Sequence, residues 1–277
     1  MVHLLTMQRA LVLAALALAL GACGEPDAPP QYDWDRSASK LLVSTSWVNG
    51  FVPQEEVWRA KRYGNSYLRV MGDGRVLWGT PTRAHTATLD EAALRALLEA
   101  LRPDRLGGLE PHYSDCESCF DYDTTRLSIA TRGYTVDVEV YALGANGSSG
   151  GAVPQPLRDA FAAMVSLRDG LRGSDYTPAS AQLVATYARS SDTQTNGVWP
   201  LSSPRLAEVV VGEPGAFEPP LFNAAGVRID GDAFKTYWGV LSSAQRVDGG
   251  YTPVIFEEDG QRYRLLHALL LPGDDAN

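Results

Sequence analysis

The sequence predicts an α+β fold of antiparallel β-hairpins packed with amphipathic helices. Three observations carry that reading. Pairs of β-prone runs meet across Gly72-Asp73-Gly74 and across Arg132-Gly133. Leucines recur at helical spacing between those pairs. The strand–helix–strand alternation of a parallel sheet is missing. Tyr-Thr-Pro occurs at Tyr176 and again at Tyr251, each time ahead of a candidate strand. Two similar α+β subdomains, residues 40–174 and 175–277, are drawn from that pattern.

Taken in order, residues 41–48 and 57–62, rich in Val, Thr and Trp, read as strands. Residues 67–71 and 75–78 form a hairpin, because Asp and Gly tolerate the positive φ that a tight turn requires. Thr88 and Glu91 have the spacing of a capping box. Leu94, Leu97, Leu98 and Leu101 then make one apolar stripe, which Pro103 ends. A second hairpin pairs residues 125–131 with 134–143. Val136, Val138 and Val140 alternate there with Asp137, Glu139 and Tyr141, the period of a strand with one wet face. The 146–151 stretch (NGSSGG) reads as a loop, and residues 156–171 as a helix burying Leu157, Phe161, Met164 and Leu167. Beyond it, 181–187 and 207–211 look like strands. Residues 232–241 look like a helix with Phe234, Trp238 and Leu241 on one side, and 253–257 with 262–271 a closing hairpin. Trp58, Trp78, Trp199 and Trp238 read as core anchors rather than sugar platforms.

The N-terminus has a different character. Arg9 precedes an unbroken apolar run over residues 10–20, too short to span a bilayer, which takes about 20 residues. Small residues follow before a cysteine, as in a secretory signal. Leu20-Gly21-Ala22-Cys23 resembles the lipobox of bacterial lipoproteins, which implies diacylation of the Cys23 sulfur and cleavage on its N-terminal side. An ordinary cleaved signal with a chance cysteine is the alternative. Residues 1–22 are then a signal peptide, and residues 23–39, polar and Pro-rich, a lipidated cysteine with a flexible tether. Cys23 is followed by Gly24 and Glu25 rather than Asp, which the resemblance associates with the outer membrane where a cell has one. Cleavage removes one cation and no acid, so 24 cations against 33 acids become 23 against 33, and the formal charge moves from -9 to -10. So acidic a chain, without a Lys/Arg cluster, excludes nucleic acid as the expected partner. Membrane attachment is left to the acyl chains, at about 0.8 kcal/mol per buried methylene.

Candidate chemistry gathers at one loop. Cys116 and Cys119 form Cys-Glu-Ser-Cys, for which an exported protein favours a disulfide. A zinc site of His112, Cys116, Cys119 and an aspartate is a second reading. A redox pair is the third, opposed by Asp115, Glu117, Asp121 and Asp123, whose charge raises a thiol pKa. The carboxylates by themselves also outline a calcium site, and Asp115, Asp121 and Asp123 with His112 a metal-dependent hydrolase. Asp121-Tyr122-Asp123-Thr124-Thr125 resembles the Asp-x-Asp-x-Thr motif of haloacid-dehalogenase-like phosphatases, but it follows an acidic loop rather than a buried parallel strand. No phosphate-binding Gly-Lys loop or His-Glu-x-x-His is present, and Gly147-Ser148-Ser149-Gly150 reads as part of a flexible loop rather than the strand-to-helix elbow that a serine nucleophile needs. His267 sits in an apolar strand, the setting of a core histidine rather than a base. No catalytic set is complete, and no cofactor is expected.

The run "LRVMGDGRVLWG", an amphipathic helix, "DTTRLSIATRGYTVDVEVYALG", "YTP", "WPLSSP" and "LLHALLLPGDD" together resemble a set of uncharacterised secreted bacterial lipoproteins. That resemblance implies an envelope location and this fold, and supplies no chemistry. The expectation is a lipid-anchored envelope protein acting as a binding or accessory module, its loops at 114–123 and 146–151 meeting the ligand.

Overall fold

The computed structural model describes residues 31–48, 50, 58, 66–80, 83–145, 152–192, 195–214, 221, 224–243, 254–272 and 274. The expected signal peptide over residues 1–22, Cys23, residues 24–30, the expected 146–151 loop, Tyr251 and all of the expected 57–62 strand except Trp58 lie outside the described residues. The architecture is α+β. One sheet contains β1 (Leu41–Val48), β2 (Ser66–Met71), β3 (Arg75–Thr80), β4 (Arg83–Thr88), β5 (His112–Ser114), β6 (Thr124–Ala130), β7 (Thr135–Tyr141) and β8 (Ser174–Tyr176). Its order is β5-β7-β6-β1-β2-β3-β4-β8, antiparallel except where β5 runs parallel to β7. The other sheet joins β9 (Ser180–Tyr187), β10 (Val227–Asp230), β11 (Val254–Glu258) and β12 (Gln261–Leu270), in the order β10-β9-β12-β11 and antiparallel.

Both predicted hairpins of the first sheet form, with Val70 opposite Val76 and Ile129 opposite Val136. Val136, Val138 and Val140 are buried, while Asp137 faces outward and holds Arg126 in a two-point bond of 2.8 and 2.6 Å. Helices α1 (Glu91–Leu101) and α3 (Gln155–Gly170) pack on each other and on this face of the sheet. Leu94, Leu97, Leu98 and Leu101 are all buried beside Leu157, Phe161 and Met164, and Leu167 packs at the edge. In β2 and β3 the neighbouring residues Tyr67 and Leu77 point the other way. They enter a second core shared with Trp58, Trp199, β9, β12 and helix α5 (Gly231–Ser243). Strand alternation thus feeds two cores from one pair of strands.

Several local readings differ from the structure. Thr88 ends β4, and Asp90 caps α1 instead, its carboxylate accepting from Ala93 N at 2.8 Å. The amide of Leu89 donates to Gly74 O, which keeps the chain extended to that point. Pro103 ends α1 by opening the short α2 (Pro103–Leu106), since proline is suited to a first helical position and Arg102 turns at φ 49°. Residues 207–211 are not a strand: α4 (Leu206–Val209) is followed by a single bridge from Val210 to Ala185. Trp58 and Trp199 are buried, but Trp78 and Trp238 only partly so.

The flexible tether expected over residues 23–39 does not extend through residues 32–39, which strap onto the body. Trp34 is 1% exposed and donates through Nε1 to Gly72 O at 3.0 Å, with the guanidiniums of Arg36 and Arg95 at 4.6 and 5.4 Å from its ring. Gly72 permits this approach, because a Cβ there would meet Asp35 O at 1.9 Å. The Tyr32 hydroxyl donates to Asp104; burial, and then that carboxylate, push its pKa up to about 12. Asp33 O accepts from Arg132 N at 2.8 Å, so the strap meets the β6–β7 turn.

Candidate functional site

The 114–123 loop leaves β5 and returns into β6 at the end of the sheet remote from the strap. Its first anchor is Asp115. The backbone N–H of Asp115 donates to Tyr141 O at 2.9 Å, and its side chain is fully enclosed. Arg158 of α3 grips both carboxylate oxygens, and Gly144 N donates to Oδ2 at 2.7 Å. Burial raises the pKa of this acid. The guanidinium and the amide outweigh burial and hold it below its ordinary value.

The second anchor is Tyr141 at the end of β7. Its hydroxyl donates to Cys119 O at 3.1 Å and accepts from Tyr122 N at 3.3 Å. Asp123 O accepts from Ala142 N at 2.9 Å. Between the anchors, Cys116 and Cys119 lie at disulfide distance, with Cα atoms 5.5 Å apart. Asp121 takes a left-handed φ of 60°, a conformation short polar side chains tolerate. Gly50, beyond the end of β1, lies so close to this turn that a Cβ would sit 2.3 Å from Asp121 C.

A half-open cleft of about 360 Å³ results. Trp47 of β1 and Thr125 of β6, paired in register, form part of its lining with Ala142 and Leu143; Asp121, Tyr122 and Asp123 come from the loop. Arg168 of α3 places its guanidinium carbon 5.1 Å from the Trp47 ring centroid. Tyr122 is 48% exposed and Phe120 83%.

The sequence candidates for a metal are dispersed by this geometry. His112 is exposed on β5 with Nδ1 3.5 Å from Glu139, Asp115 is committed to Arg158, and only Asp121 and Asp123 reach the cleft. Among the described residues no group of three or more His, Cys, Asp or Glu side chains is placed to hold an ion. His267 is buried in β12 against the edge of Tyr237, and His85 sits 3.1 Å from Asp175 under Trp78.

Sequence reasoning missed Trp47, Thr125 and Leu143 as lining residues, because nothing local marks which strand ends converge. It also missed a buried pair at the second sheet, Arg264 of β12 with Asp192 of the turn after β9, at 2.6 Å. The signal was available there, in Arg264 heading the apolar run over residues 265–271, whose one polar residue is His267. Neither a protein-family model nor a curated protein matches this chain.

Proposed function

We propose that this chain is a lipid-anchored protein of the bacterial cell envelope, a binding or accessory module that takes its ligand in the Trp47–Asp123 cleft. Leu20-Gly21-Ala22-Cys23 supports the anchor, with Cys23 as the acylated residue. Two or more acyl chains are needed for stable attachment, so the membrane is the first partner.

One observation carries the binding role: an acidic, aromatic loop left in water yet held in one conformation by a buried ion pair and Tyr141. Loops fixed on a rigid scaffold are where recognition residues concentrate. Placement supports it as well. The described chain enters the body at Tyr32, beside the 131–134 turn, and the cleft lies at the other end of β6. Seven residues of strand separate them, about 23 Å at 3.3 Å per residue. The cleft therefore stands clear of the point at which the described chain enters the body.

The anchor is tested in cells fed an alkyne-tagged fatty acid. The chain is expected to carry the label and to partition with membranes, and Cys23→Ser to lose both. Unlabelled chain, or a serine variant that still partitions with membranes, overturns the reading.

A further inference from the structure

We propose that the cleft and its rim are a docking surface for a partner-protein segment that places a lysine or arginine beside an apolar side chain. This rests on the cleft being the ligand site and names the chemistry it selects. From Ser114 to Thr125 the chain carries Asp115, Glu117, Asp121 and Asp123 and no lysine or arginine. Arg158 neutralises only Asp115. Asp121 and Asp123 line the cleft, and no cationic side chain is among the described residues that do. Two aromatic rings, Trp47 and Tyr122, share that lining. Carboxylates beside ring faces are the setting in which a desolvated ammonium or guanidinium is most stabilised. Trp47 already stands at cation–π distance from one guanidinium, that of Arg168.

A second observation is independent of charge. Phe120 is 83% exposed and Tyr122 48%, alternating with Asp121 and Asp123 along a turn held by Tyr141. The fold gains nothing from leaving Phe120 in water, whereas a partner's apolar residue laid against it gains burial. Aromatic anchors with carboxylates between them fit a segment in which basic and apolar side chains are neighbours. The overall formal charge of -9 steers such a segment inward.

The purified full chain in detergent is passed over an array of short random peptides. Retained peptides are expected to be enriched in lysine or arginine adjacent to leucine, isoleucine or phenylalanine, and to release as salt rises. The double variant Asp121→Asn/Asp123→Asn is expected to retain about tenfold less. Asparagine tolerates the positive φ at position 121, and Asp123 serves the fold through its carbonyl to Ala142, so an unchanged melting curve certifies that variant. Charge-blind peptide binding, an unaffected double variant, or an array with no bound peptide would each overturn the inference. Chitotetraose binding in the last case would mark a saccharide site. None of these outcomes touches the fatty-acid label, on which the anchored reading stands.

Discussion

Arg158→Ala removes the cation from an acid that has no water to turn to. The Asp115 side chain is 0% exposed and that of Arg158 20%, and the pair joins through both carboxylate oxygens. Breaking one side of such a pair costs about 3–5 kcal/mol, mostly the burial of an uncompensated charge. Because Arg158 keeps some water contact, we expect the lower end, about 3 kcal/mol. For a body of this size that is a fall in melting temperature of roughly 6–12 °C. The pH dependence supplies a sharper check. In the parent the folded pKa lies below the ordinary 3.8, so this stabilisation is complete above about pH 4 and fades only as pH drops through the folded value. In the variant the Gly144 amide still favours the carboxylate, but burial, the largest influence, no longer faces a guanidinium and raises the folded pKa, so the folded state takes up a proton as the solution is acidified. The gap between variant and parent therefore narrows from pH 7 to pH 5. Asp115→Asn combined with Arg158→Ala recovers part of the loss, since no buried charge remains. Scanning calorimetry of the full chain in detergent at both pH values reads all of this. A fall of less than about 2 °C at pH 7, or a gap that does not narrow in acid, refutes the assignment of Asp115 as the loop's electrostatic anchor.

Further expectations concern the strap, the first helix and the cysteines. Trp34→Ala should cost about 3–5 kcal/mol in urea unfolding, as for a buried aromatic; a change within about 0.5 kcal/mol would mean that residues 32–39 are free tether. Asp90→Ala should lose about 1 kcal/mol of stability and Thr88→Ala much less; the reverse order would restore Thr88 as the cap. Thiol titration of the unfolded Cys23→Ser chain without reductant should find no free thiol, and two would overturn the Cys116–Cys119 disulfide. Reduction of that four-residue ring should lower stability by about 2 kcal/mol, read as a shift in the urea midpoint.

Wherever a single element announces itself, the sequence was sufficient. The 67–78 and 125–141 hairpins and the Leu94–Leu101 stripe follow from periods of 2 and 3.6 and from turn chemistry, all contained within a dozen residues. The pairing of Cys116 with Cys119 is local in the same sense. The sequence misplaced a cap where two capping side chains, Thr88 and Asp90, stand close together, because a hydrogen bond from Leu89 to Gly74 in the β2–β3 turn settles the matter. The site itself was half legible: an acidic cysteine loop stands out in the text, but its meaning does not. Asp115 reads as one more carboxylate until Arg158, 43 residues later, closes on it, and Trp47 reads as a strand residue until Thr125 lies opposite it. Local pattern fixes which face of an element is apolar. Which charge neutralises which, and which strand ends meet to enclose a cleft, are decided only when the sheet closes, since those contacts depend on through-space distances that neighbouring residues do not encode.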